Sequence, residues 1–410
     1  MHLRSCLFLL AFVIPLVSKG QLGFTITEGR HSVRFPIEVC NNLVVIPVVL
    51  NGQLPLKFIL DTGVRTTILT EKSFSDILKL TYGRHYMVAG PGGEKIVEAY
   101  VTNNVTLDLP GVHGEGHAML VLEKDYLELR NYLGTDVQGI LGYEVFSRFI
   151  VEVDYVRKHL ILTLPDFFKP KKNKFQVIPI SIQDTKPYLQ TQVETQDGVV
   201  IKAKLLVDSG ASHGLVLDPA SDKQIVVPDK HVNSLIGRGL GGIITGQIAR
   251  IKSLDLGKYR IENIIVNYPD ANSYIDTLKA SDVFRNGAIG GEIISRFRVI
   301  YDFSGEKLYL KKNSNFNKPF NFNMSGLTLK AKGARLRKFE ITDVRLDSPA
   351  QKADLKNGDE LVTINGLATA TLDLNDINGY FNAKPGKKIT LEILRNGAKV
   401  VKTFRLESQI

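Results

Sequence analysis

The chain has 410 residues, of which 44% are hydrophobic and 23% charged, and carries a formal net charge of +10. At roughly 150 residues per domain this is material for two to three domains with a sizeable core. The basic excess is moderate and nowhere interleaves cations with aromatics, so no nucleic-acid partner is expected. After residue 20 no stretch approaches the ~18 consecutive apolar residues of a membrane span, so none is expected in the mature protein.

In chain order, residues 1–20 come first: Arg4, the apolar run Cys6 to Val17, and Ser18-Lys19-Gly20. That layout fits a secretory signal peptide, and about a dozen apolar residues are too few to cross a bilayer. Its removal takes away Arg4 and Lys19 and lowers the net charge from +10 to +8. Cys40 is then the single cysteine, so no intramolecular disulfide is expected and packing alone has to stabilise an exported protein.

From residue 35 to 312 short apolar runs alternate with glycine-rich turns, among them Leu43 to Leu50, Phe58-Ile59-Leu60, Phe149 to Val153, Leu205-Leu206-Val207 and Val299 to Tyr301. Such runs, without long helical stripes, predict an all-β region. The region also repeats itself. Ser147 to Tyr155 aligns with Ser295 to Phe303 without a gap, Gly139 to Gly142 with Gly287 to Gly290, and Phe58 to Gly63 with Leu205 to Gly210. Two copies predict two lobes about an approximate twofold axis. The expected boundaries are lobe 1 at 21–168, a charged linker at 169–178, lobe 2 at 179–312 and a second linker at 313–325. The three phenylalanines of the second linker predict that it packs against a neighbour.

Each copy runs an apolar strand into Asp-[Ser/Thr]-Gly: Asp61-Thr62-Gly63 and Asp208-Ser209-Gly210. A carboxylate at the end of a buried strand is partly dry. The glycine permits a tight turn, and the hydroxyl can bond across to a partner loop. Two such loops meeting on an axis bring their carboxyls too close for both to ionise, so they share a proton.

With both copies quoted, residues 35–312 resemble the aspartic peptidase clan: two retropepsin-like lobes fused in one chain in a pepsin-like bilobal arrangement. The resemblance implies that Asp61 and Asp208 are catalytic, with Thr62, Gly63, Ser209 and Gly210 supporting the two loops. It implies a glycine-rich flap, for which Gly90, Gly92 and Gly93 in one copy and Gly239 and Gly241 in the other are candidates, with Tyr86 as a candidate flap tyrosine. It implies no cofactor and no metal. The first motif departs from the family pattern in continuing Val64-Arg65, which places a cation in the loop sequence; the second continues Ala211-Ser212.

From Gly326 the pattern changes. Ser348 to Gly366 resembles the PDZ signature of bacterial exported proteases, giving a PDZ domain at 326–410. Ser348 is expected to cap a helix opening on Pro349, Leu355 to face inward, and Asn365-Gly366 to turn a hairpin. PDZ domains add a peptide to a sheet edge and hold its terminal carboxylate on backbone amides. That loop is expected at Gly326, Leu327, Thr328 and Leu329.

Other readings are weaker. His113 and His117 are separated by glycines that break any helix, and they lack the His-Glu-x-x-His order. Ser212-His213 cannot form a serine triad by itself, and no Gly-x-Ser-x-Gly exists. The expectation is therefore a mostly β, bilobal acid-protease fold of two duplicated barrel-like lobes with a small C-terminal PDZ domain. It would be an exported aspartic endopeptidase of a bacterial periplasm, envelope or secreted fraction, acting on a peptide or protein substrate and holding a PDZ peptide ligand. The alternative is a non-catalytic bilobal peptide-binding scaffold.

Overall fold

The computed structural model describes residues 22–27, 29–88, 90, 92, 96–170, 174–271 and 283–410. The expected signal segment and Gly93 lie outside them.

The fold is mostly β, with two lobes and a C-terminal PDZ module. Each lobe is built on one motif repeated. In lobe 1, strand Leu54–Leu60 follows Leu43–Leu50 in an antiparallel hairpin, then pairs in parallel with Gly139–Leu141. Gly139–Leu141 in turn pairs antiparallel with Ile68–Leu69. Lobe 2 repeats this with Val200–Val207 parallel to Gly287–Ile289, which pairs antiparallel with Leu215–Leu217. All these central strands are apolar because both faces are covered. Lobe 2 gains barrel character from an extra pairing of Lys186–Glu194 with the long strand Gly242–Leu256.

The lobes are joined by a six-stranded sheet containing strands of both. At its centre the repeated blocks meet: Ile150–Asp154 and Phe297–Asp302 pair antiparallel, Val151 opposite Tyr301 and Asp154 opposite Arg298. One continuous apolar core, including Phe58, Leu141, Phe146, Val207, Ile289 and Phe297, runs through both lobes. The expected linker at 169–178 is shorter than its charge pattern suggested. Gln176–Pro179 is already a strand of this sheet, paired with Lys307–Lys312, because Ile178 packs into the shared core. Residues 171–173 of that stretch lie outside the described ones.

In the stretch 313–325, each phenylalanine packs. Phe316 meets Tyr259 and Phe297, Phe320 lies under the Arg296 guanidinium at 3.7 Å, and Phe322 joins the core of the terminal module. In that module six strands form one sheet with Leu327–Lys332 at its edge. Ser348 Oγ accepts from Gln351 N at 3.2 Å, capping helix Pro349–Lys352, and Leu355 is buried. Asn365 and Gly366 both have positive φ and turn the chain from Ile364 to Leu367, as a two-residue hairpin loop requires.

The terminal module docks on lobe 1. Helix Leu129–Leu133 lies against its edge strand, and Gly134, at φ +66°, leaves room for Leu374: a Cβ there would be 2.7 Å from the Leu374 Cβ. Cys40 sits beneath this contact, its Sγ donating to Leu133 O at 3.1 Å and accepting from Asn375 Nδ2 at 3.6 Å. Burial pushes its thiol pKa up, so little thiolate is available to react. Gly134→Leu, which wedges the module away, is expected to raise the rate of Cys40 alkylation about tenfold or more. An unchanged rate would show that this contact does not shield the thiol.

Candidate active site

The motif that builds each lobe also delivers its aspartate. Asp61 follows strand Leu54–Leu60 and donates its backbone N–H to Leu141 O at 2.9 Å; Asp208 follows Val200–Val207 and donates to Ile289 O at 2.9 Å. The chain then passes under a glycine in each copy. A Cβ on Gly142 would lie 2.1 Å from Val64 O, and one on Gly290 2.2 Å from His213 O. Both φ values are negative, so close backbone approach, not a special turn, requires glycine here.

The two loops lock together across the axis. Thr62 N donates to Ser209 Oγ at 3.0 Å, and Ser209 N donates to Thr62 Oγ1 at 2.9 Å. Each hydroxyl then donates to the opposite strand: Thr62 Oγ1 to Val207 O at 2.6 Å and Ser209 Oγ to Leu60 O at 2.9 Å. All four bonds are buried, where an unmade one would be costly.

This lock brings the carboxyls together. Gly63 N donates to Asp61 Oδ1 at 2.6 Å and Gly210 N to Asp208 Oδ1 at 3.0 Å, fixing each rotamer. A single point, where a Cβ of Gly63 would be, is 3.1 Å from Asp61 Oδ1 and 3.4 Å from Asp208 Oδ1. Burial, and next the charge of Asp208, push the pKa of Asp61 up to about 8, against the opposing bond from Gly63 N and the charge of Lys186. At neutral pH the pair therefore retains one proton, associated with Asp61.

Arg65 does not take part. Its guanidinium is largely exposed and faces Asp184, 3.7 Å away. Lys186, two residues beyond that partner, is the cation felt by Asp61. His213 lies beside Asp208; burial holds its pKa low, so the imidazole is neutral near pH 7.

A cavity of about 430 Å³ stands over the dyad, lined by Asp61, Asp208, His213, Leu129, Tyr132 and the hairpin residues Gly237, Arg238 and Gly239. The hairpin of His231–Gly239 with Gly242–Leu256 roofs it, and that of Arg84–Val88 with Val97–Val105 comes up beside it. Their tips touch. A Cβ on Gly90 would be 2.6 Å from the Leu240 Cβ, and one on Gly92 2.1 Å from Gly242 O. Gly241 shares the second tip with Leu240. Tyr86 is exposed on its strand and does not line the cavity. The aromatic at the mouth is Tyr132 of lobe 1, whose hydroxyl accepts from Arg238 Nη2 at 3.2 Å with the guanidinium 5.0 Å above its ring. This bridge between lobes joins residues 106 apart in sequence, and no local motif announced it.

Of the expected carboxylate loop, Gly326 precedes the edge strand and Leu327, Thr328 and Leu329 begin it. Thr328 also lines the cavity over the dyad. His113 and His117 face different surroundings: His113 Nδ1 is 2.6 Å from Asp108 Oδ1, and the His117 ring packs on Phe24 at 4.3 Å.

The class that fold and loops point to is aspartyl-protease-like. Residues 46–145 match a family model described as aspartyl protease, and residues 317–406 one described as PDZ domain. The chain is an aspartyl-protease-like protein with a C-terminal PDZ domain, a combination that supports protease-like function with peptide binding. It is also 40% identical over 60 residues to the carboxy-terminal processing protease CtpB of Bacillus subtilis (strain 168). That match covers 15% of this chain and 12% of the relative.

Proposed function

We propose that this protein is an aspartic endopeptidase that hydrolyses peptide bonds with water activated between Asp61 and Asp208. The observation that carries this reading is the convergence of the two carboxyls on one point beside Gly63, in buried surroundings that push the pKa of Asp61 up. The ionised carboxyl takes a proton from water as the oxygen attacks the scissile carbonyl carbon. The protonated one donates to the carbonyl oxygen, giving a neutral tetrahedral diol. Proton return to the amide nitrogen then releases the amine as the C–N bond breaks. The locked loops hold both groups in place without reorganisation, and the touching hairpins would part to admit substrate and close to exclude water.

Replacing either aspartate tests the reading, as argued in the Discussion. The alternative of a non-catalytic scaffold rested on Arg65 disturbing the first loop; with its guanidinium facing Asp184, it has no observation in its favour. We also place the protein outside the cytoplasm, supported by the charged start and apolar run of residues 1–20. Intact-mass measurement of protein from fractionated cells checks this: the mature form is expected to lack that segment, and full-length cytoplasmic protein would refute it.

A further inference from the structure

The relation between the PDZ module and the dyad bears on what is recognised. A second cavity, of about 610 Å³, is lined by Leu327, Thr328 and Leu329 of the edge strand and by Asn378 of the facing helix Leu374–Phe381 and Asn382 at its C-cap. Asn41, Tyr132, Ser212 and Thr328 line both this cavity and the one over Asp61 and Asp208. The PDZ groove and the dyad cleft are therefore neighbours sharing a wall.

At the start of the expected carboxylate loop the amides are already bonded. Ser325 N and Gly326 N both donate to Asn323 Oδ1, at 3.1 and 3.2 Å, and Leu327 N donates to Ser325 Oγ at 3.1 Å. Ser325 Oγ donates to Asn323 Oδ1 at 2.7 Å, while Asn323 Nδ2 donates to Leu327 O at 2.7 Å. The Asn323 carboxamide thus stands where a ligand carboxylate would, and Arg345 Nη2 anchors it through Asn323 O at 2.9 Å. Positive charge is no more available. Arg296 is committed to the carbonyls of Asn315 and Phe316 at 3.3 and 3.1 Å and to the Phe320 ring; Lys318 is exposed at the rim, where water screens it.

Apart from Glu292, whose carboxyl would not attract a terminal carboxylate, what the groove does offer is neutral. The carboxamides of Asn41, Asn378 and Asn382 have no partner among the described residues, and a carboxamide both donates and accepts, as a peptide main chain does. Lobe 1 covers the far end of the edge strand: Asn131 Nδ2 donates to Ala331 O at 2.7 Å and Arg130 Nη2 to Ala334 O at 2.8 Å. The open edge is thereby confined to the part beside the dyad cleft.

We infer that the PDZ module is a wall of the substrate cleft, and that this chain recognises internal, extended segments of its substrate, not a free C-terminal carboxylate. This rests on the peptidase reading above. The test uses the full chain and a random dodecapeptide pool in two forms, free acid and C-terminal amide. Cleavage by the native protein and retention by the Asp208→Asn variant are both read by mass spectrometry. The two forms are expected to be cleaved and retained within about twofold of each other, since neither presents a terminus the groove needs. Asn323→Ala, which frees the amides, is expected to tilt retention toward the acid. A tenfold or greater preference of the native protein for the acid, or retention of neither pool, overturns the inference. Cleavage undiminished in Asp208→Asn overturns instead the reading on which it rests.

Discussion

Asp61→Asn and Asp208→Asn are each expected to lower kcat on a peptide library by about 10²–10⁴-fold, since each removes half of a general acid–base pair. Product formation unchanged in either variant would sink the mechanism. The pH dependence follows from the raised pKa of Asp61. The pair is competent while it holds one proton, so activity is expected to persist through neutral pH and fall as pH rises past about 8. A limb confined to acid pH would contradict this. Stability carries the same signature. The folded protein keeps a proton on Asp61 that the unfolded chain loses near its ordinary value of 3.8, so stability falls as pH rises from there to about 8. Asp61→Asn cannot ionise and escapes that loss. Its Tm relative to the native protein is therefore expected to be more favourable at pH 8 than at pH 4, and an equal difference at the two pH values would refute the assignment.

Ser209→Ala is expected to cost both stability and rate. It leaves Thr62 N and Leu60 O buried without their partner, at about 1–3 kcal/mol each, or about 2–6 kcal/mol together. It also leaves the first aspartate loop tied to the second only through the Thr62 hydroxyl. A displacement near 1 Å at reacting groups costs about 10²-fold, so kcat is expected to fall while the fold survives. Ser209→Thr keeps the hydroxyl in the form lobe 1 already uses at Thr62 and is expected to retain most of both. Denaturant melts and single-turnover rates on the pair read this; equal behaviour of the Ala and Thr variants would show that the hydroxyl bonds do not hold the loops.

Much of the fold was legible because its determinants are local and duplicated. Strand-length apolar runs, two Asp-[Ser/Thr]-Gly triplets and two apolar-apolar-Gly elements at nearly constant offset imply paired lobes. The PDZ module announced itself in the same way, with Ser348 capping, Leu355 inward and Asn365-Gly366 turning. The end of the expected linker at 169–178 was not legible, because its lysines read as solvated while Ile178 answers to a core partner far along the chain. Tyr86, a candidate flap tyrosine by sequence, is exposed and does not line the cavity, and Tyr132 holds the mouth.

That two carboxylates end apolar strands, each with a hydroxyl and a glycine behind it, can be read from the order of residues alone. That much follows from short-range chemistry. Tertiary structure decided the rest, since it depends on groups brought together from 100 or more residues apart. Only the packed lobes show Thr62 and Ser209 exchanging bonds, Arg65 turned to Asp184 while the charge of Lys186 acts on Asp61, Arg238 seated on Tyr132, and a PDZ groove that borders the dyad. Electrostatics falls off with distance in space, not along the chain, and the closing of the lobes sets those distances.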